Sequence, residues 1–347
     1  MGLFETDQEK LTNAVINKNL KKVKSILEIS NRNGRILKLN NKNYKKLWNS
    51  LLLDTEEKEE EKTAEMAKLL INYADKNRII LELNNKNEIW RAFLNAIKNK
   101  NIELVKILIE YANQHYIILD LNEKRNNGSN PLMLAICYNK NNTEIVKLLI
   151  EYANKHNIIL ELNEKNSCGI CPLLFAISYS EISVEMVKVL LEYANEQHIT
   201  LELNEKDGIW GDYPLLKSIE INSIEIIKLL IEYANQHQLV LELNEKNNNG
   251  ICPLLRAIDR NHIEIIKMLI EYADQHQITL ELNEKNKKGD SPFLKAISNN
   301  NIEIVNLLIE YADQHQINLE YNENEIAGNS IIIELIQNYE REKEMQV

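Results

Sequence analysis

Glycine and proline are scarce in this sequence, nine and five among 347 residues. An all-β chain would need many more turn residues, so strands are not its main building material. Cysteine is scarce too. The four present have no framework spacing, which argues against a disulfide-stapled secreted domain and for a reducing, intracellular and cytoplasmic setting. No apolar run approaches the roughly 18 residues of a membrane span, because Glu and Lys interrupt each one. The opening stretch, Met1 to Lys10, lacks the apolar core of a secretory signal. Basic residues are in the minority: 41 Lys and Arg against 52 Asp and Glu leave a net charge of −11. That disfavours general nucleic-acid binding, whose affinity comes mostly from cations on phosphate. There is no phosphate loop, no G-x-S-x-G and no H-E-x-x-H, so no catalytic residue, cofactor or metal is expected. What is present is a chain with 44% hydrophobic and 27% charged residues, normal for a folded protein and long for a single core.

The phrase L-N-E-K and its variants recur, with Asn at 40, 84, 122, 163, 204, 244, 283 and 322. A period of about 39 to 41 residues decides the architecture before local propensity does. Between these landmarks a finger closes on Gly and Pro, as at Gly128 to Pro131 and Gly250 to Pro253. Then comes a short helix such as Pro253 to Ile258, with proline where its missing N–H has no partner to lose. A polar break follows, at Asn222, Asn261 or Asn300; Asn tolerates the left-handed conformation that ends a helix. The second helix reads like Glu225 to His237, with Ile226, Ile227, Leu229, Leu230, Ile231 and Ala234 as a broad apolar face. An extended run, Leu239 to Leu243, completes the unit. The acidic run Asp54 to Lys62 is expected as an insertion in one inter-helix turn, a solvated loop. Residues 1–43 read as an N-terminal capping repeat, 44–329 as internal repeats and 330–347 as a capping helix, all in one array.

The series G-x-x-P-L-L-x-A-I, E-I-V-K-L-L-I-E-Y-A and L-N-E-K-N resembles the ankyrin repeat, in a lengthened form. The resemblance covers nearly the whole chain and is densest from Asn122 to Asn322. It implies an all-α repeat solenoid: eight helix pairs stacked with short extended fingers, then a C-terminal helix. HEAT-like repeats share the period but do not need the recurrent finger. Three departures stand out. The second helix is expected to run about one turn longer. The family's Thr is replaced by Cys171, Tyr213, Cys252 and Ser291, and its His by Leu174, Leu216, Leu255 and Leu294, so apolar packing is expected in place of their hydrogen bond. The family's inter-helix Gly is Asn or Lys.

The resemblance further implies a non-catalytic scaffold that binds other proteins along the concave surface of fingers and first helices. Carried over, the finger positions are Asn126, Asn127, Ser167, Ile209, Trp210, Asn248, Asn249, Lys287 and Lys288. The outward first-helix positions are Met133, Phe175, Lys217, Arg256 and Lys295. These vary while the framework around them repeats, so packing does not dictate them. Trp210 and Phe175 would be interface anchors, and the basic residues at the C-terminal end would favour an acidic partner there. A monomer is expected.

Two alternatives remain open. One is a membrane-tethered adaptor, since Gly2 and Thr6 fit the myristoylation pattern. The other is a metal-binding or enzymatic protein using His or Cys. Six histidines read as one repeat position: His115, His156, His198, His237, His276 and His315. Neighbouring repeats stand roughly 8–10 Å apart and metal–nitrogen bonds are about 2 Å, so the row reads better as helix-end caps. Tyr73, Tyr111, Tyr152, Tyr193, Tyr233, Tyr272 and Tyr311 read as a half-buried ladder with hydroxyls at the edge. Cys168 and Cys171 form C-x-x-C without the second pair a zinc site needs.

Overall fold

Five of the described first helices begin where the chain supplies a residue that gives up its N–H at no cost. Proline opens helices α7 (Pro131–Tyr138), α9 (Pro172–Ser178), α11 (Pro214–Glu220), α13 (Pro253–Asp259) and α15 (Pro292–Ser298). The structure, a computed structural model, describes residues 6–39, 46–51, 60–83, 88–139, 142–178, 184–321 and 330–346. The first three repeats use other openings, at α1 (Asp7–Ile16), α3 (Lys46–Ser50) and α5 (Glu88–Lys98). Helix α1 starts on a capping box: Glu9 N–H donates to Thr6 Oγ1 at 3.2 Å, and Thr6 N–H returns a bond to the Glu9 carboxylate at 2.8 Å. That bond lowers the Glu9 pKa below its usual value.

First helices end as the asparagines indicate. Asn222, Asn261 and Asn300 take φ of +55°, +55° and +54°, and the amide of Ser223 then closes back on the Ser218 carbonyl at 3.0 Å. The next residue caps the second helix: Asn101, Ser223 and Asn301 accept from Leu104, Ile226 and Ile304 N–H. The second helices are α2 (Leu20–Arg32), α4 (Glu60–Lys76), α6 (Ile102–Gln114), α8 (Glu144–Lys155), α10 (Val184–Glu196), α12 (Ile224–Gln236), α14 (Ile263–Gln275) and α16 (Ile302–Gln314). From α4 onward they continue through the Tyr-Ala pair to Gln or its equivalent. A left-handed residue such as Gln238, at φ +55°, then lets Leu239 N–H return to the Ala234 carbonyl at 2.8 Å. Helix α17 (Ser330–Gln346) ends the series, making eight pairs and a terminal helix among the described residues.

The chain divides into two compact units, residues 1–161 and 162–347. In the first, α1, α3, α5 and α7 pack in a row, as do α2, α4, α6 and α8. In the second, α9, α11, α13 and α15 form the first-helix row, α10 packs on α12 and α14 on α16, and α17 closes on α16. Burial follows the predicted face of the second helix in part: Leu229 and Ile231, expected on it, stay half-buried at its edge. Leu230, Ile226 and Ala234 are fully enclosed in α12, and Leu241 and Leu243 turn inward from the extended segment. There are no strands among the described residues.

The acidic run is only partly a turn. Glu60, Glu61 and Lys62 form the first turn of α4, where glutamates favour the helix dipole. Asp54 to Glu59 lie outside the described residues, as does Gly2.

Candidate functional site

The recurrent Asn of L-N-E-K has a direct physical role. Asn244 donates through Nδ2 to the Thr279 carbonyl at 2.8 Å and accepts at Oδ1 from Glu281 N–H at 3.2 Å. It thereby satisfies both backbone groups of the next repeat's extended segment. Asn122, Asn163, Asn204 and Asn283 make the same pair of bonds one repeat along. Each side chain stands in for the strand that the extended segment lacks.

The tyrosine row differs from its expectation. Tyr111, Tyr193, Tyr233 and Tyr311 are at most 2% exposed, not half-buried. Tyrosine hydroxyls reach the preceding repeat within each unit: Tyr233 OH accepts from Leu201 N–H at 3.2 Å and donates to the Ile199 carbonyl at 2.9 Å. Tyr73, Tyr111, Tyr152, Tyr272 and Tyr311 accept in the same way. Burial raises the pKa of Tyr111, Tyr152, Tyr233, Tyr272 and Tyr311.

Histidine caps the second helices at 115, 156, 237, 276 and 315. Each ring lies against its own repeat's tyrosine, 4.1 to 4.3 Å between centroids. Each Nε2 meets the preceding repeat: His156 on Asn113 at 2.7 Å, His237 on Asn195 at 2.7 Å, His315 on Asp274 at 2.9 Å. His198 is not in this row. Gln197 takes the capping place, bonding back to the Tyr193 carbonyl, and His198 occupies the left-handed position at φ +56°. One residue of offset after Asn195 separates the two. No group of three His, Cys, Asp or Glu side chains converges on a metal-sized site among the described residues.

The fingers are closed by side chains as well as by glycine. Asp207 Oδ1 accepts from Ile209, Trp210 and Gly211 N–H. Asn166, Asn247 and Asn286 serve the other fingers of the second unit in the same way. Adjacent fingers are tied by Gly208 N–H to the Cys168 carbonyl and Asn248 N–H to the Trp210 carbonyl, both at 2.8 Å, and by Lys287 N–H to the Asn249 carbonyl at 3.1 Å. A Cβ on Gly169, at φ +72°, would sit 2.5 Å from the Gly208 nitrogen, so only glycine permits that approach. The finger from Asp207 to Pro214 is one residue longer than its neighbours. The extra length leaves Ile209 49% and Trp210 58% exposed at its tip.

The structure places Asn126 and Asn127 exposed in the first unit, and Ser167, Asn248, Asn249, Lys287 and Lys288 exposed in the second. Two expected outward positions, one of them the expected anchor Phe175, are not at the surface. Met133 and Phe175 are 1% and 6% exposed. Their position on the first helix is enclosed even where it is charged: Lys217, Arg256 and Lys295 keep only 22%, 14% and 23% of their side chains exposed. An apolar chain there folds down completely.

The expected basic region is neutralised in part, at its first-helix positions. Arg256 meets Glu220 at 2.9 Å, Lys295 meets Asp259 at 2.8 Å and Lys217 meets Asp212 at 3.7 Å. Asp259 accordingly raises the Lys295 pKa. Asn249, Arg256, Lys287, Lys288 and Lys295 do come together, around a cleft of about 290 Å³ that Asp259 and Asp290 also line. Sequence reasoning missed both: only the stack places Asp259 beside Lys295 of the next repeat, and Asp290 shares a finger with Lys287 and Lys288.

The replacements of the family's Thr–His pair are mixed rather than wholly apolar. Cys171, Cys252, Leu174, Leu216 and Leu255 are buried, and burial raises both thiol pKa values. Ser291, however, caps α15 by accepting from Leu294 N–H at 3.3 Å. Tyr213 reaches the Glu242 and Glu245 carbonyls at 2.9 and 3.0 Å.

Paired helices joined by left-handed turns, with glycine-closed fingers at Gly128, Gly169, Gly211, Gly250 and Gly289, define a helical repeat protein. Family profiles for ankyrin repeats match at 55–159, 93–206 and 197–280 in a three-copy form, and at 254–309 in a many-copy form. The chain belongs to the ankyrin-repeat family, whose members are in general protein-interaction modules. Among solved structures it is similar to the ankyrin repeat domain of Bcl-3, described as a unique member of the IkappaB protein family. The identity is 18% over 86% of this chain and 97% of that one, with a TM-score of 0.45. None of the curated proteins matches. No helix among the described residues is long and apolar enough to cross a membrane.

Proposed function

We propose that this chain is a non-catalytic interaction scaffold, one repeat array across residues 1–347, which binds protein partners through its finger tips and first helices. The observation that carries this is Trp210. It stands 58% exposed on a finger whose backbone is held by Asp207 and by Asn248. A rigid, exposed aromatic beside Ile209 is the kind of group that becomes an interface anchor. Ser167, Lys217, Asn248, Asn249, Arg256, Lys287, Lys288 and Lys295 surround it in role, and Asn126 and Asn127 supply the face of the first unit. Met133 and Phe175 drop out because they are buried. Four cysteines held as thiols, one of them exposed, suit the reducing interior of a cell, where the protein is expected to act as a monomer.

The test is crosslinking and recovery of partners in the native cell with wild type and an Ile209→Ala/Trp210→Ala/Lys287→Ala variant. The variant should lose at least one stoichiometric partner while keeping its helical circular dichroism. Recovery of the same partners in the same amounts would overturn the assignment of this face.

A further inference from the structure

The acidic excess of the chain is not evenly spread. Residues 1–161 hold more Lys and Arg than Asp and Glu, so the net negative charge lies wholly in residues 162–347. Along the fingers of that unit the glutamates are neutralised between repeats, Lys206 with Glu245 at 2.6 Å and Lys246 with Glu284 at 2.9 Å. The second helices differ. Glu192, Glu232, Glu271 and Glu310 form an exposed column, one per repeat, without ion pairs among the described residues.

Beside this column a groove of about 450 Å³ opens between α12 and α14. Its floor is formed by Ile231 and Met268, both only half-buried. Glu232 and Glu271 stand at its rim, each accepting from a glutamine amide one turn on, Gln236 and Gln275, at 3.3 Å. Lys228 lines the groove as well, against two carboxylates.

We propose that this groove docks a basic amphipathic segment of a partner protein. A Lys or Arg side chain lies along Ile231 and Met268 and sets its charge between Glu232 and Glu271. A long aliphatic stem with a wet cationic head fits an apolar floor with a carboxylate rim. The same column repels an acidic segment and a second copy of this negatively charged unit, which leaves a cationic occupant. The surface is distinct from the fingers and first helices, so either reading can fail alone.

The experiment is fluorescence anisotropy of the full chain with a labelled amphipathic peptide of Lys, Leu and Ala, and with its counterpart carrying Glu at every Lys position. The Lys peptide should bind and the Glu peptide should not. Glu232→Lys/Glu271→Lys should weaken binding by about tenfold or more, and Met268→Gln by a few-fold. The control Glu202→Lys/Glu242→Lys reverses two exposed charges on the extended segments and should change affinity by no more than about twofold. Equal losses in both double variants would reduce the effect to bulk charge and overturn the groove. Unchanged binding by Glu232→Lys/Glu271→Lys, or binding of the Glu peptide, would overturn it too. Circular dichroism and urea midpoints of each variant separate lost binding from lost folding.

Discussion

At the scale of single residues, the side chains that matter most for stability are those that serve another repeat's backbone. Asn244 holds one N–H and one C=O of the following segment. Asn244→Ala should therefore cost about 1–2 kcal/mol in urea unfolding, while Asn126→Ala on an exposed finger tip should stay near zero. Equal midpoints for the two would mean that water replaces the Asn244 bonds without loss. The tyrosines give a pH dependence. Their folded pKa values lie above the unfolded value near 10, so the native state holds protons that the unfolded state has lost. Stability is full below about pH 10 and falls as pH rises toward the folded values. Thermal melts followed by tyrosinate absorbance should show ionisation coinciding with unfolding; ionisation in the folded protein at the ordinary pH would contradict the burial.

At the scale of elements, much was legible in the sequence, because proline, asparagine and glycine act through local backbone geometry. Pro253 opens a helix, Asn261 ends it and Gly250 closes the finger wherever the chain lies in space. The capping box Thr6-x-x-Glu9 is equally local in origin, since each side chain serves a backbone N–H three residues away. The exposure of Met133 and Phe175 was not legible. Variation at a repeat position shows that packing does not specify the residue, but not that the position is exposed. Leu230, fully enclosed on α12, tests the helix register: Leu230→Ala should lose about 2–5 kcal/mol in equilibrium denaturation, and a change near zero would place that face outside the core.

At the scale of the whole molecule, each repeat leans on its neighbours within its unit, and α17 does so at one end of the second unit. Helix α17 covers α16 with Ile332, Ile336 and Tyr339, and Tyr339 gives the Ile317 carbonyl the bond that a further repeat would supply, at 2.7 Å. Removing residues 330–347 should lower the urea midpoint and raise light scattering, because an apolar face meets water. A truncated chain that unfolds and scatters like the full one would show that α17 is no cap.

The sequence by itself determined the repeat, its two helices, the turns and the family, because these rest on period and on local conformational preference. Only the tertiary structure decided what the repeated letters do. Tyr, His and Asn recur in the text as three separate rows. In the stack, tyrosine and asparagine bond the backbone of the adjoining repeat, and histidine meets a side chain there. Whether a variable residue faces water, as Trp210 does, or folds inward, as Phe175 does, depends on neighbours that are distant in the chain. Those contacts are set by the spacing of whole repeats, which no local pattern encodes.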